Sequence, residues 1–76
     1  MKLEKFKIIQ DYIFDFYFED GLHKSSNIEK LLNSKVSKEE LKTAHLDKEW
    51  GCLEFKNGMV DINPKTLYNY VQVQGL

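Results

Sequence analysis

A chain of 76 residues with 42% apolar and 13% aromatic side chains has room for one domain and one core, and it is too rich in aromatics to be a disordered segment. The formal net charge of −1 gives no general attraction to polyanions, and all 11 basic residues are Lys, so the planar Arg fork that reads guanine edges and phosphates is missing. Direct nucleic-acid binding is therefore disfavoured, and the one cysteine, Cys52, excludes an internal disulfide or a multi-thiolate zinc site.

Charges interrupt Met1–Ile9, so this stretch cannot serve as the apolar part of a signal peptide. No run approaches the length of a membrane span, and the cytoplasm is the expected location. Phe6 and Ile8 alternate with Lys5 and Lys7 and predict a first strand, with a turn at Gln10-Asp11. Tyr12, Phe14, Phe16 and Phe18 then alternate with Ile13, Asp15, Tyr17 and Glu19, which places four aromatics on one face of a second strand. Asp20-Gly21 signals a hairpin, and Leu22 to Ser25 is expected to return as a short polar strand.

Two helical signals follow. Ile28, Leu31 and Leu32 form an apolar stripe capped by Ser26 or Asn27. Ser37 with Glu40 has the form of a capping box ahead of Leu41 and Ala44, which predicts a helix of only a turn or two.

Thr43 to Asp47, Cys52 to Phe55 and Met59 to Ile62 read as a three-stranded meander, turned at Lys48–Gly51 and at Asn57-Gly58. Pairing Lys56 with Met59 sets Phe55 against Val60 and Leu53 against Ile62. Pairing Asp47 with Cys52 sets Leu46 against Leu53. Both registers put Ala44, Leu46, Leu53, Phe55, Val60 and Ile62 on one face, and this agreement supports the assignment. Asn63-Pro64 starts a last helix with Leu67, Tyr70 and Val71 inward, and Gln72 to Leu76 is expected to be a loose tail. The expected architecture is one α+β domain over residues 1–71: a small antiparallel sheet with two or three short helices packed on one face.

Phe18-Glu19-Asp20-Gly21, Ile28-Glu29-Lys30-Leu31-Leu32, Asn57-Gly58, Asp61-Ile62-Asn63-Pro64 and Leu67-Tyr68 occur in an order that resembles a small bacterial family of unknown function, number twenty-four forty-two. The resemblance runs from about Phe6 to Tyr68. It implies an α+β fold, no defined chemistry and no site residues to carry over. Members look like partners in two-gene toxin–antitoxin-like modules.

One constellation could carry chemistry. The registers place His45, Asp47, Cys52, Glu54 and Asp61 on the outer face of the meander, where a thiol beside a His–carboxylate pair could act as a nucleophile in a small cysteine hydrolase. An antiparallel sheet with one wet face puts polar residues there in any case, and no oxyanion-hole loop is visible. His23 and His45 lack a second ligand at helical spacing, so no metal half-site is predicted. Gly21, Gly51 and Gly58 sit at strand ends rather than in a phosphate-cradling loop. The expectation is no catalytic site, no metal and no cofactor.

A contact surface is the better-supported reading. Trp50 lies in a turn that does not require a large ring, so it either folds back over the core edge or offers itself to a partner. Tyr17 and Ile13 should face away from the aromatic stripe, in a second packed layer or an exposed patch. Glu49, Glu19 and Asp20 supply carboxylates near turns, and Asp47, Glu54 and Asp61 add to them. Open sheet edges, at Leu22–Ser26 or the first strand, could accept a partner strand or a second copy in a homodimer. The leading expectation is a non-enzymatic, antitoxin-like protein-binding module of a bacterial or phage two-component system. The alternative is a phage inhibitor of a defence nuclease, anti-CRISPR-like, with carboxylates filling a nucleic-acid channel. RNA binding through stacked aromatics and Lys ranks below both, because the lysines are dispersed.

Overall fold

The strict alternation of β2 organises the molecule. In the computed structural model, which describes residues 1–76, β2 (Ile13–Phe18) lies between β1 (Leu3–Gln10) and β3 (His23–Asn27) in an antiparallel sheet. Phe14, Phe16 and Phe18 are buried on its inner face, while Ile13, Asp15 and Tyr17 stand half-buried on the outer one. The β1–β2 turn falls at Asp11-Tyr12, one residue later than the sequence suggests, with Asp11 at φ 50°. Tyr12 thereby leaves the strand and closes the end of the core, its hydroxyl donating to the Val36 carbonyl at 2.7 Å. The β1–β2 pairing is also irregular between Leu3 and Lys5 and between Ile8 and Gln10. The Asp20-Gly21 hairpin forms as expected, with Gly21 at φ +92° and Leu22 N–H donating to Asp20 Oδ1 at 3.0 Å. β3 starts at His23 and runs two residues past the expected Ser25.

The first two helical segments are short, the second no more than the turn or two expected of it. α1 (Glu29–Leu32) is a single turn, entered through Asn27, whose Oδ1 accepts from Glu29 N–H at 2.9 Å. The Ser37–Glu40 capping box forms reciprocally: Ser37 N–H donates to Glu40 Oε1 at 2.9 Å, and Glu40 N–H to Ser37 Oγ at 3.3 Å. Yet the segment after it, Glu39–Thr43, closes as a 3-10 turn. A cap satisfies the first donors, but only packing of a longer stripe sustains an α-helix, and here the stripe is Leu41 alone. Only α2 (Pro64–Gln74) is a helix of any length, so the fold is mostly sheet. α2 packs along β3.

The meander forms in the predicted registers: Leu46 opposite Leu53, Asp47 opposite Cys52, Leu53 opposite Ile62 and Phe55 opposite Val60. Its strands are β4 (His45–Asp47), β5 (Cys52–Phe55) and β6 (Val60–Ile62). Asn57 and Gly58 have φ 58° and 86°, and Met59 N–H donates to Lys56 O at 3.1 Å, as the two-residue turn demands. Lys56 is itself left-handed at φ 57° and outside the strand, its N–H taken by Thr43 Oγ1 at 2.9 Å.

A single sheet does not form. The two three-stranded sheets are separate and share one core, in which the Phe14 ring meets Phe55 edge-on at 6.2 Å. Asn63 Oδ1 accepts from Lys65 N–H at 2.8 Å ahead of Pro64, and Leu67 and Val71 are buried; Tyr70 is half-buried. The expected loose tail from Gln72 is instead a continuation of α2 to Gln74, followed by docking of Gly75 and Leu76 on β3. Ser26, the one buried polar side chain, donates to the Gln74 carbonyl at 3.0 Å, and Leu76 N–H donates to Ser25 O at 2.8 Å. The first of these bonds satisfies a carbonyl left open at the helix C-terminus, and the second ties the last residue to β3. No helix is long and apolar enough to cross a membrane.

Candidate functional site

The β4–β5 turn is fixed by its own polar groups. Asp47 Oδ1 accepts from Glu49 N–H at 3.0 Å and Trp50 N–H at 3.3 Å, while Gly51 N–H donates to Asp47 O at 2.7 Å. Gly51 has φ +72° and lies flat against Lys2; a Cβ there would sit 2.5 Å from that of Lys2. Leu3 N–H donates to Gly51 O at 3.2 Å, and Lys2 Nζ to Glu49 O at 2.9 Å. The turn is therefore held from inside and from the N-terminal segment. Its side chain is not: Trp50 is 65% exposed. Of the two readings open to Trp50, folding over the core edge is overturned.

Lys2 also carries the link to Glu19. Lys2 N–H donates to Glu19 Oε2 and Glu19 N–H to Lys2 O, both at 2.9 Å. Glu49, Trp50 and Glu19 thus gather at one end of the molecule, beside an open groove of about 390 Å³ whose lining includes Lys2, Glu19, Leu46 and Lys48. Asp20 adjoins Glu19 but is committed elsewhere. Its carboxylate accepts from the Tyr68 hydroxyl and from Leu22 N–H, and these bonds hold its pKa below the ordinary value.

Tyr17 and Ile13 do not join this end as a contact patch. Tyr17 stacks on His23 at 3.9 Å between centroids, and Lys5 Nζ lies 4.9 Å from the ring centroid, in a cross-strand row Lys5–Tyr17–His23. Its ring is spent on its own sheet. Ile13 is half-buried at the far end of β2, paired with Gln10 and Asn27. Asp15 binds Ser25 Oγ and stands 3.8 Å from His23 Nε2. The outer face of this sheet is a closed polar and aromatic layer rather than an exposed apolar patch.

On the meander's outer face, His45 stands opposite Glu54 and Asp47 opposite Cys52, as the sequence predicts. The electrostatics oppose a thiolate there. Burial pushes the Cys52 pKa up, and the charges of Asp47, Asp61 and Glu54 push it further. A nucleophilic cysteine needs the reverse, a positive neighbour that draws the proton away. No three His, Cys, Asp or Glu side chains converge as metal ligands.

Three participants escape sequence reasoning: Lys2, Asp47 in its turn-capping role, and Tyr68. Asp47 had a signal, since an Asp just before a turn commonly caps it through its side chain. Lys2 and Tyr68 had none, because their partners are 47 and 48 residues away. No curated protein and no solved structure matches the chain. Over residues 3–72 it matches the family described as protein of unknown function (DUF2442), and to that family the chain belongs.

Proposed function

We propose that this chain is a non-enzymatic protein-binding module of a bacterial or phage two-component system, antitoxin-like, that acts by occupying a partner's surface. The observation that carries this reading is Trp50. A large ring, 65% exposed, stands on a turn whose backbone is held by Asp47, Gly51 and Lys2. An aromatic anchor on a pre-ordered backbone binds at low entropic cost, which is why Trp dominates interface hot spots. Glu49 and Glu19 flank it with carboxylates suited to a basic rim on the partner. The raised pKa of Cys52 supports the non-enzymatic half of the reading.

The test is Trp50→Ala. The variant should keep its stability within about 0.5 kcal/mol, because an exposed side chain is removed. It should lose about 2 kcal/mol of binding, roughly thirtyfold in Kd, toward the protein that co-purifies with the unaltered chain. Equal affinity for that protein in both forms overturns the assignment of Trp50. Failure to recover any protein from the host overturns the reading altogether. A small toxin-like gene beside the coding sequence agrees with it, whereas a phage anti-defence cluster favours the nuclease inhibitor.

A further inference from the structure

Only one long sheet edge is left open. On the β3 side, Leu76 N–H donates to Ser25 O and Gly75 bridges Ser26, so the chain covers that edge itself. On the β1 side, Leu3 N–H reaches Gly51 O, and the remaining backbone bonds of β1 all go to β2. Where the ladder is regular, from Lys5 to Ile8, every second residue of this edge strand turns its N–H and C=O outward. No side chain of the molecule caps those groups.

The side chains of this edge have a definite chemistry. Lys5 and Lys7 share the outer face with Tyr17 and Asp15, and neither makes a salt bridge. Asp15, which faces Lys7 across the ladder, is already held by Ser25 and His23. On the other face, Phe6 stacks on Phe14 at 5.8 Å and remains half-buried, while Ile8 is exposed; Ile9, in the irregular stretch before Gln10, is exposed as well. The edge is thus cationic on one side and apolar on the other.

Charge selects among occupants. A second copy would pair β1 with β1 about a two-fold axis, which sets residues of like face opposite one another. If Phe6 meets Phe6, Lys5 meets Lys7; if Phe6 meets Ile8, Lys7 meets Lys7. Both registers that use most of the strand set like charges directly across, which destabilises the pair. A foreign strand with carboxylates at one set of alternate positions and apolar side chains at the other satisfies Lys5, Lys7, Phe6 and Ile8 together.

We infer that the β1 edge from Glu4 to Gln10 is a docking site for an extended acidic–apolar segment of a partner protein, added as a fourth strand. The inference rests on the proposed binding function and deepens it by naming what the partner brings, along an edge whose first residue, Glu4, lines the groove beside Trp50.

The probe is a short synthetic peptide of alternating Glu and Val, with a Lys–Val peptide as control, titrated against the full chain labelled for amide NMR. The Glu–Val peptide should shift the amides of Glu4–Gln10, bind about tenfold tighter than the control and weaken as salt is raised. The double variant Lys5→Glu and Lys7→Glu should reverse the preference, with its unchanged spectrum elsewhere showing that it folds. Equal binding of both peptides, absence of β1 shifts, or a β1-mediated dimer in sedimentation would overturn the inference. So would a single-stranded oligonucleotide that shifts β1 where the peptide does not. A co-purifying partner that is lost on Trp50→Ala but kept by the double variant would remove this site and leave the proposed function standing.

Discussion

The two sheets are built on the same plan, three short antiparallel strands in sequence order, yet they differ in how they are specified. The C-terminal meander takes its register from its turns: left-handed Asn57 and Gly58 at one end, Asp47 and Gly51 at the other. Every pair in it lies where those turns dictate. The N-terminal sheet takes its register from burial. Its ladder slips at both ends of β1, and what stays constant is that Phe14, Phe16 and Phe18 point inward. The two also part in charge. Asp47, Glu54 and Asp61 make the meander's outer face acidic, while Lys5, Lys7 and His23 line much of the other. Specification by turns is local and tolerates loss elsewhere; specification by burial depends on the shared core.

The largest effect should test that shared core. Phe14 is fully buried against the rings of Phe6, Phe16 and Phe55, and Phe55 is fully buried from the other side. Phe14→Ala and Phe55→Ala should each cost about 3–5 kcal/mol. That approaches the whole stability of a domain this small, about 4–11 kcal/mol. Urea unfolding followed by amide exchange should show both sheets losing protection together in either variant. If Phe55→Ala opened the meander and left β1–β3 protected, the two sheets would be independent folding units.

A smaller effect separates turn geometry from turn environment. Gly51 and Gly58 both have positive φ, +72° and +86°, so any L side chain strains either one. They differ in what a Cβ would meet: at Gly58 nothing lies within 4 Å, whereas at Gly51 it would strike Lys2 Cβ and Cα at 2.5 and 2.8 Å. Gly58→Ala should cost about 1 kcal/mol, the strain alone. Gly51→Ala should exceed about 2 kcal/mol, because Lys2 must be displaced from Glu19 and Glu49 as well. The shift in urea midpoint at constant slope reads both. Equal costs would mean that Lys2 does not seat against the turn.

The same contrast explains how much could be read in advance. The meander, the Asn63-Pro64 helix start and the Ser37–Glu40 capping box all follow from residues a few positions apart, where turn and cap chemistry act. The irregular pairing of β1, the 3-10 closure of Glu39–Thr43 and the docking of Gly75 and Leu76 depend on what arrives from the rest of the chain. Gln72 to Leu76 looks loose because its anchor, Ser26, sits 48 residues earlier. The candidate site divides the same way. Trp50 could be singled out from its place in a turn. Tyr17 stands on the outer face as the alternation of β2 predicts, but nothing in that alternation reveals that Lys5 and His23 lie against its ring.

The seam between the sheets offers the smallest and most specific test. Tyr68, on the helix that leaves the meander, sets its ring edge-on against Phe18 at 5.0 Å and donates its hydroxyl to Asp20 at the β2–β3 turn. Tyr68→Phe keeps the ring and removes the bond. The Asp20 pKa is lowered, first by that hydroxyl and then by Leu22 N–H, so its contribution is present above the unfolded value and fades as pH falls through the folded one. The Tyr68 pKa is raised by the same bond, so its contribution is present below the unfolded value and fades as pH rises through the folded one. The stability difference between the unaltered chain and Tyr68→Phe should therefore be flat near neutrality. It should shrink below about pH 4 and again above about pH 10. Tyr70→Phe is the control, since its hydroxyl donates 3.0 Å to the Asn27 carbonyl, which does not titrate. Its stability difference should stay constant in acid. A Tyr68→Phe difference that does not shrink in acid would show that Tyr68 contributes to the seam through its ring contact with Phe18 and not through Asp20.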